Sequence, residues 1–329
     1  MSSRPGDETL LAALQRGIPL EPRPFERLAD ELGLKEAEVL DFVRRCREEG
    51  MVRRFGGVFD TRRLGYASAL CAVRLEAAAL ERAVAALVPL KGVTHCYLRE
   101  LPASWPARIG AEKFPNLWFT LSCPRDVFAA MADEVRARLG AAEVHVLPAL
   151  RRYKVDVVFG SATRVRDESV EDAAPVTARD RAMIRVLQGD TEVRSDYFAA
   201  LAAKAGMNEW DFLSHLELWR RSGRLKRIGL LLAHRQAGWT ANGMCCWNVE
   251  GDTTEVGRAL AACGEVTHCY ERAQTPAFPY NVFAMVHARS LEDATAQYAR
   301  LEAAAALTDG VMLVSTREYK KTSMTFFAD

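Results

Sequence analysis

The stretch VTHCYLR at positions 93–99 occurs again, one residue changed, as VTHCYER at 266–272, an offset of 173. At that offset LLAALQ (10–15) meets MIRVLQ (183–188), Phe25 meets Phe198, Gly33 meets Gly206, and Gly50 meets Gly223. RRFG (53–56) meets KRIG (226–229), Arg62 meets Arg235, Gly65 meets Gly238, and Tyr66 meets Trp239. A deletion in the second copy then shortens the offset, so that Asn116 pairs with Asn281 and Tyr153-Lys154 with Tyr319-Lys320. A register kept over such a span marks a duplicated chain. The polar, charged SATRVRDESVEDAAP at 161–175 reads as the join. The expected halves are therefore 1–160 and 179–329, with 161–178 as linker.

Each half has the same order of patterns. Three short amphipathic helices come first, the second and third joined through Gly33 or Gly206 as in a helix-turn-helix. A glycine-containing strand resembling a wing follows. Strands and helices then alternate: ASALCAVRL, EAAALERAVAALVPL, GVTHCYLRE, NLWFTLSC, PRDVFAAMADEVRARL and EVHVLPALRRYKVDVVF in the first half. The expected fold class is α+β, a tandem duplication of a winged helix-turn-helix followed by a βαββαβ domain. The boundaries are 7–57 and 66–160 in the first half, and 179–230 and 239–329 in the second.

Composition excludes several functions. With 329 residues, 49% hydrophobic and 26% charged, the chain can build more than one core. A net charge of +1 gives no overall bias toward nucleic acid or membrane. No apolar run approaches a membrane span, and MSSRPGDETLL lacks a signal-peptide pattern, so a soluble cytoplasmic protein is expected. Eight cysteines without a CxxC pair or metal-ligand spacing read as free thiols, and no metal site is expected. Neither GxGxxG nor GxxxxGK[ST] occurs, which removes the usual phosphate loops.

The helix-turn-helix units carry the wrong charge for reading DNA. In 35–49, Lys35, Arg44, Arg45 and Arg47 face Glu36, Glu38, Asp41, Glu48 and Glu49, with three acids in the leading part that would enter a groove. In 207–222, Arg220 and Arg221 face Glu209, Asp211 and Glu217. No DNA partner is expected.

Strand alternation sorts the remaining candidates. In NVFAMVH (281–287), Val282, Ala284 and Val286 suit covering helices, leaving Asn281, Phe283, Met285 and His287 on the opposite face. In the first copy Leu117, Phe119 and Leu121 take the helix side, leaving Asn116, Trp118, Thr120 and Ser122. Both helices of a βαββαβ unit pack on one side, so the other face is open to the second half or to a ligand. His287 replaces Ser122 there, and His234 replaces Thr61. His95 and His268 occur in both copies. His145 and His215 read as structural, and Tyr270 and Tyr280 as core or pocket wall.

A helix-turn-helix followed by βαββαβ resembles the Lrp/AsnC regulators, whose ferredoxin-like domains pair and bind small ligands, here as a pseudo-dimer within one chain. The motifs are closer to one branch. RRFGGVFDTRRLGY, GVTHCYLRE and FPNLWFTL are similar to the D half of siroheme decarboxylase. HRQAGWTANGMCCWNV, VTHCYERAQTPAFPYNVFAMVHARS and REYKKTSMTFF are similar to its L half, in the order of the fused enzyme. The resemblance implies removal of carboxyl groups from two acetate side chains of siroheme to give didecarboxysiroheme, on the way to haem d1 or to ordinary haem. It implies no added cofactor, the iron arriving with the substrate. His234 and His287 become the leading proton donors or orienters, histidine titrating near neutrality. Arg227, Arg235 and Arg53 become carboxylate anchors, and His268, His95, Tyr280, Asn281 and Trp118 substrate contacts. A homodimer of fused chains joined through sheet edges is expected. The competing readings are a fused Lrp/AsnC-type transcriptional regulator and a tetrapyrrole carrier without catalysis.

Overall fold

The computed structural model describes residues 6–102, 105, 114–140, 143–155, 175–232 and 241–327. The first half runs α1 (Asp7–Arg16), α2 (Pro24–Leu32), α3 (Glu36–Glu48), β1 (Val52–Phe59), β2 (Tyr66–Val73), α4 (Ala77–Leu87), β3 (Val93–Glu100), β4 (Leu117–Pro124), α5 (Phe128–Leu139) and β5 (Val144–Val155). The second runs α6 (Ala178–Leu187), α7 (Tyr197–Lys204), α8 (Glu209–Arg221), β6 (Leu225–Leu232), β7 (Ala241–Trp247), α9 (Thr254–Ala262), β8 (Val266–Arg272), β9 (Val282–Ala288), α10 (Leu291–Ala305) and β10 (Gly310–Lys321). Local chemistry sets several of these ends. Thr177 and Asp180 form a capping box at α6, and Asn208 and Ser290 accept the Asp211 and Asp293 amides at α8 and α10. Gly50 and Gly223, at φ 70° and 72°, turn the chain after α3 and α8 in the left-handed region that favours glycine.

The two compact units are not the two sequence halves. One comprises 1–65, 170–238 and 325–329; the other comprises 66–169 and 239–324, so each takes a part from both copies. In the first unit the expected wing is shared. β1 pairs antiparallel with β6, and Gly56 lies opposite Gly229. Each strand also runs along the end of the other copy's first helix: Ile18 N–H donates to the Ile228 carbonyl at 2.8 Å, and Thr191 N–H to the Phe55 carbonyl at 2.8 Å. The paired glycines of RRFG and KRIG are what this approach requires. A Cβ on Gly56 would stand 2.5 and 2.6 Å from the carbonyl oxygens of Gly189 and Leu187, and one on Gly229 would meet the Leu14 carbonyl. Backbone atoms have little room to yield, so Gly56→Ala is expected to cost about 1–3 kcal/mol, read from a denaturant melt. Unchanged stability would mean that the helix ends shift freely.

In the second unit all eight strands close into one antiparallel barrel, ordered β10-β3-β4-β2-β5-β8-β9-β7. β5 and β10 close it by serving both halves. Residues 144–148 of β5 pair with β2, and beyond Pro148 the strand pairs with β8; β10 pairs first with β7 and then with β3. Closure leaves no free barrel edge. Among the described residues the barrel therefore offers no edge to the joining of two chains through sheet edges expected from the sequence.

The alternation read from the sequence now acquires an inside and an outside. Val73, Phe119 and Leu121 pack outward with residues of α4 and α5, and Val282, Ala284 and Val286 with residues of α9 and α10. The faces without helices meet inside the barrel, where Ala72, Trp118, Leu147, Met244, Phe283 and Leu313 form one apolar cluster. Among the described residues no helix is long and apolar enough to cross a membrane.

Candidate functional site

The repeated VTHCY stretch positions its polar side chains through a β-bulge. Val93 lies opposite Leu121, but His95 lies opposite Thr120, so Thr94 is the extra residue; Val266, His268 and Thr267 repeat this against β9. Each bulge threonine holds the next ring, with Oγ1 3.0 Å from His95 Nδ1 and 3.1 Å from His268 Nδ1. Beyond the bulge, His95, Tyr97 and Arg99 share the inner face in one copy, and His268, Tyr270 and Arg272 in the other. Tyr97 pairs with Trp118 and Tyr270 with Phe283, both members of the inner cluster. Each arginine lies over its own tyrosine, 5.2 Å from the ring centre of Tyr97 and 4.7 Å from that of Tyr270.

His287 follows Phe283 and Met285 on the inner face and lies directly opposite Asn242 of β7. Paired residues of an antiparallel ladder present their side chains on one side, close enough to interact. The corresponding pair in the first copy is Ser122 opposite Ser68, joined Oγ to Oγ at 2.7 Å. Asn242 Oδ1 also accepts from both terminal nitrogens of Arg99 at 3.4 Å, so the second copy's asparagine connects its own histidine's strand to the first copy's arginine. Arg99 is 5% exposed, and burial pulls its pKa down to about 10.

A cavity of about 800 Å³ opens at this end of the barrel, its wall including Arg74, Arg99, Phe114, Asn116, Ala241 and Leu291. His234 and Arg235 lie outside the described residues. His287, His268 and His95 are partly buried on the inner face. Trp118 and Tyr280, 1% and 2% exposed, belong to the packed interior: the Trp118 indole donates to the Pro115 carbonyl at 2.9 Å, and Tyr280 stacks on Phe114. The Asn281 amide binds Val249, accepting from its N–H at 2.9 Å and donating to its carbonyl at 2.8 Å, just as Asn116 binds Leu75. Both asparagines thus hold the exit from the strand before a helix. Arg53 and Arg227 stand on β1 and β6, in the helix-turn-helix unit and not in the barrel unit that contains His287.

The residues singled out from the sequence do not include Arg99 or Asn242. Arg99 carried a usable signal, since it repeats within VTHCYxR and shares the parity of His95 and Tyr97. Asn242 carried none, because its meaning comes from a strand of the other copy. Burial lowers the affinity of His145 for protons, and its Nδ1 lies 2.9 Å from Thr275 Oγ1, a packed position. The eight cysteines are free thiols. Among the described residues no group of three or more His, Cys, Asp or Glu could hold a metal ion.

The fold and its inner polar cluster define a tandem protein of helix-turn-helix and ligand-binding domains. Residues 63–154 and 236–320 match the AsnC-like ligand binding domain, and residues 7–53 match the siroheme decarboxylase NirDL-like HTH domain. More narrowly, the chain belongs to the siroheme decarboxylase family. It is 32% identical to the siroheme decarboxylase of Hydrogenobacter thermophilus over 98% of this chain and 95% of that protein. It is 33% identical to the siroheme decarboxylase NirDL subunit of Paracoccus denitrificans over 97% and 96%. The crystal structure of the siroheme decarboxylase NirDL superimposes with a TM-score of 0.75 at 29% identity, covering 98% of this chain and 94% of that one. The same enzyme in co-complex with an iron-uroporphyrin III analogue gives 0.75 at 29%, covering 99% and 95%.

Proposed function

We propose that this protein is a siroheme decarboxylase, a carbon–carbon lyase that removes two acetate carboxyl groups from siroheme. The observation that carries the reading is the inner-face arrangement of His287 opposite Asn242, with Asn242 against the cavity-lining Arg99, in a chain of this family. Each step needs a proton and a place for the electrons of the breaking bond. An imidazole protonates the pyrrole carbon next to the acetate; the C–C bond then breaks toward the ring as CO₂ leaves. The exocyclic methylene takes up a proton and the ring carbon gives one back, so one proton replaces each CO₂ and a methyl group remains. His287 is assigned to this proton traffic together with His234. The apolar barrel interior excludes water, which favours loss of the carboxylate's charge.

Several further points belong to the same proposal. The iron comes with the substrate and no other cofactor is required, the chain works in the cytoplasm as a homodimer, and the helix-turn-helix units are scaffold. The last point is supported by Glu36 in the leading turn of α3, which accepts from Arg23 at 2.8 Å and from Ser195 at 3.0 Å and so engages a cation that a phosphate would otherwise meet. Anaerobic incubation with siroheme, followed by mass measurement of the extracted pigment, tests the function. A loss equal to two CO₂ is expected; bound but unchanged pigment would make the protein a tetrapyrrole carrier.

A further inference from the structure

Arg99 and Arg272 occupy matching positions in the two copies but have different surroundings. Arg272 is held at one end: Nη1 donates to the Leu147 carbonyl at 3.0 Å and the guanidinium lies over Tyr270 and Phe283, while its Nε is buried without a hydrogen-bond partner. The connection that follows it is closed by Gln274, whose amide nitrogen donates to Asn248 Oδ1 at 3.0 Å and to the Pro279 carbonyl. The repeat offset falls from 173 at Arg99 and Arg272 to 165 at Asn116 and Asn281, so the shortening of the second copy lies in this connection. The cavity of about 800 Å³ lies beside Arg99 of the first copy.

Arg99 lines that cavity and makes only long hydrogen bonds. Its terminal nitrogens reach Asn242 Oδ1 at 3.4 Å and the Leu313 carbonyl at 3.5 Å, and among the described residues no carboxylate lies within 4 Å of it. A buried cation without a counter-charge is costly, and the guanidinium fork matches a carboxylate in two parallel hydrogen bonds. The same cavity wall carries Arg74 and Glu100, which offset one another.

We infer that Arg99 is the anchor for a ring carboxylate of the substrate, so that the first copy holds the substrate beside the second copy's His287 and one molecule binds per chain. The identity of the substrate rests on the decarboxylase reading. The first copy is then part of the site and not an inert relic of duplication. The shortened connection of the second copy would be the feature that closes the equivalent place at Arg272.

Anaerobic absorption titration of the full chain with siroheme, alongside the pigment-mass assay, tests this. Saturation at one siroheme per chain is expected. R99Q should weaken binding about tenfold or more, R99K should recover part of the loss, and R272Q should stay within about twofold of the parent. Parent-like affinity in R99Q, two molecules per chain, or an R272Q defect equal to that of R99Q would overturn the anchor. If circular dichroism shows R99Q unfolded, R99K decides, parent-like affinity again overturning it. The two readings fail separately: a parent chain that binds without releasing CO₂ while R99Q binds weakly retires the decarboxylase and supports the anchor. Full turnover and affinity in R99Q does the reverse.

Discussion

His287→Ala is expected to lower the rate of CO₂ loss from siroheme by about 10²–10⁴-fold, the usual contribution of a positioned acid or base. The side chain is partly exposed on the inner face near the end of β9, opposite Asn242, whose amide oxygen accepts from the arginine that borders the cavity. Its backbone serves the β7–β9 ladder, and its carbonyl accepts from Gln297 at 3.2 Å, both of which alanine preserves. The variant should therefore keep its far-ultraviolet circular dichroism. Single-turnover measurement of pigment mass separates loss of chemistry from loss of binding. A rate within twofold of the parent would remove His287 from the mechanism and leave the proton traffic to His234.

Trp118→Ala should instead act on stability, with a cost of about 3–5 kcal/mol, typical of deleting a buried tryptophan. The indole is 1% exposed, its N–H is bonded to Pro115, and its ring meets Phe278 edge-on at 5.4 Å between centres. Removing it opens a void at the meeting of β3, β4 and β2, where Trp118 lies opposite both Tyr97 and Ala72. Denaturant unfolding followed by circular dichroism reads the loss, and Trp118→Phe should recover much of it. If Trp118→Ala melted like the parent yet failed to bind siroheme, the ring would be a wall of the binding site and not part of the packing.

The difference between these two residues shows what alternation can and cannot tell. Both were assigned to the face without helices, and both lie there, because parity follows from the pleat of a single strand. Burial does not: Trp118 is 1% exposed, packed against side chains from other strands, whereas His287 is only partly buried. Asn281 shares their predicted face, yet its amide is committed to Val249. That bond involves a loop whose path a strand pattern does not describe.

Duplication, the order of helices and strands, the faces of β4 and β9, and the likeness to siroheme decarboxylases were all legible in the residues, since each depends on neighbours a few positions apart or on a repeat compared with itself. The exchange between copies was decided only by tertiary structure. β1 pairs with β6, β5 passes from β2 to β8 at Pro148, and β10 brings Leu313 and β7's Asn242 to Arg99. Two equivalent halves can pair within themselves or with each other using the same hydrogen-bonding groups. The choice is made by the closed barrel, in which every strand has two neighbours and both apolar faces are buried at once.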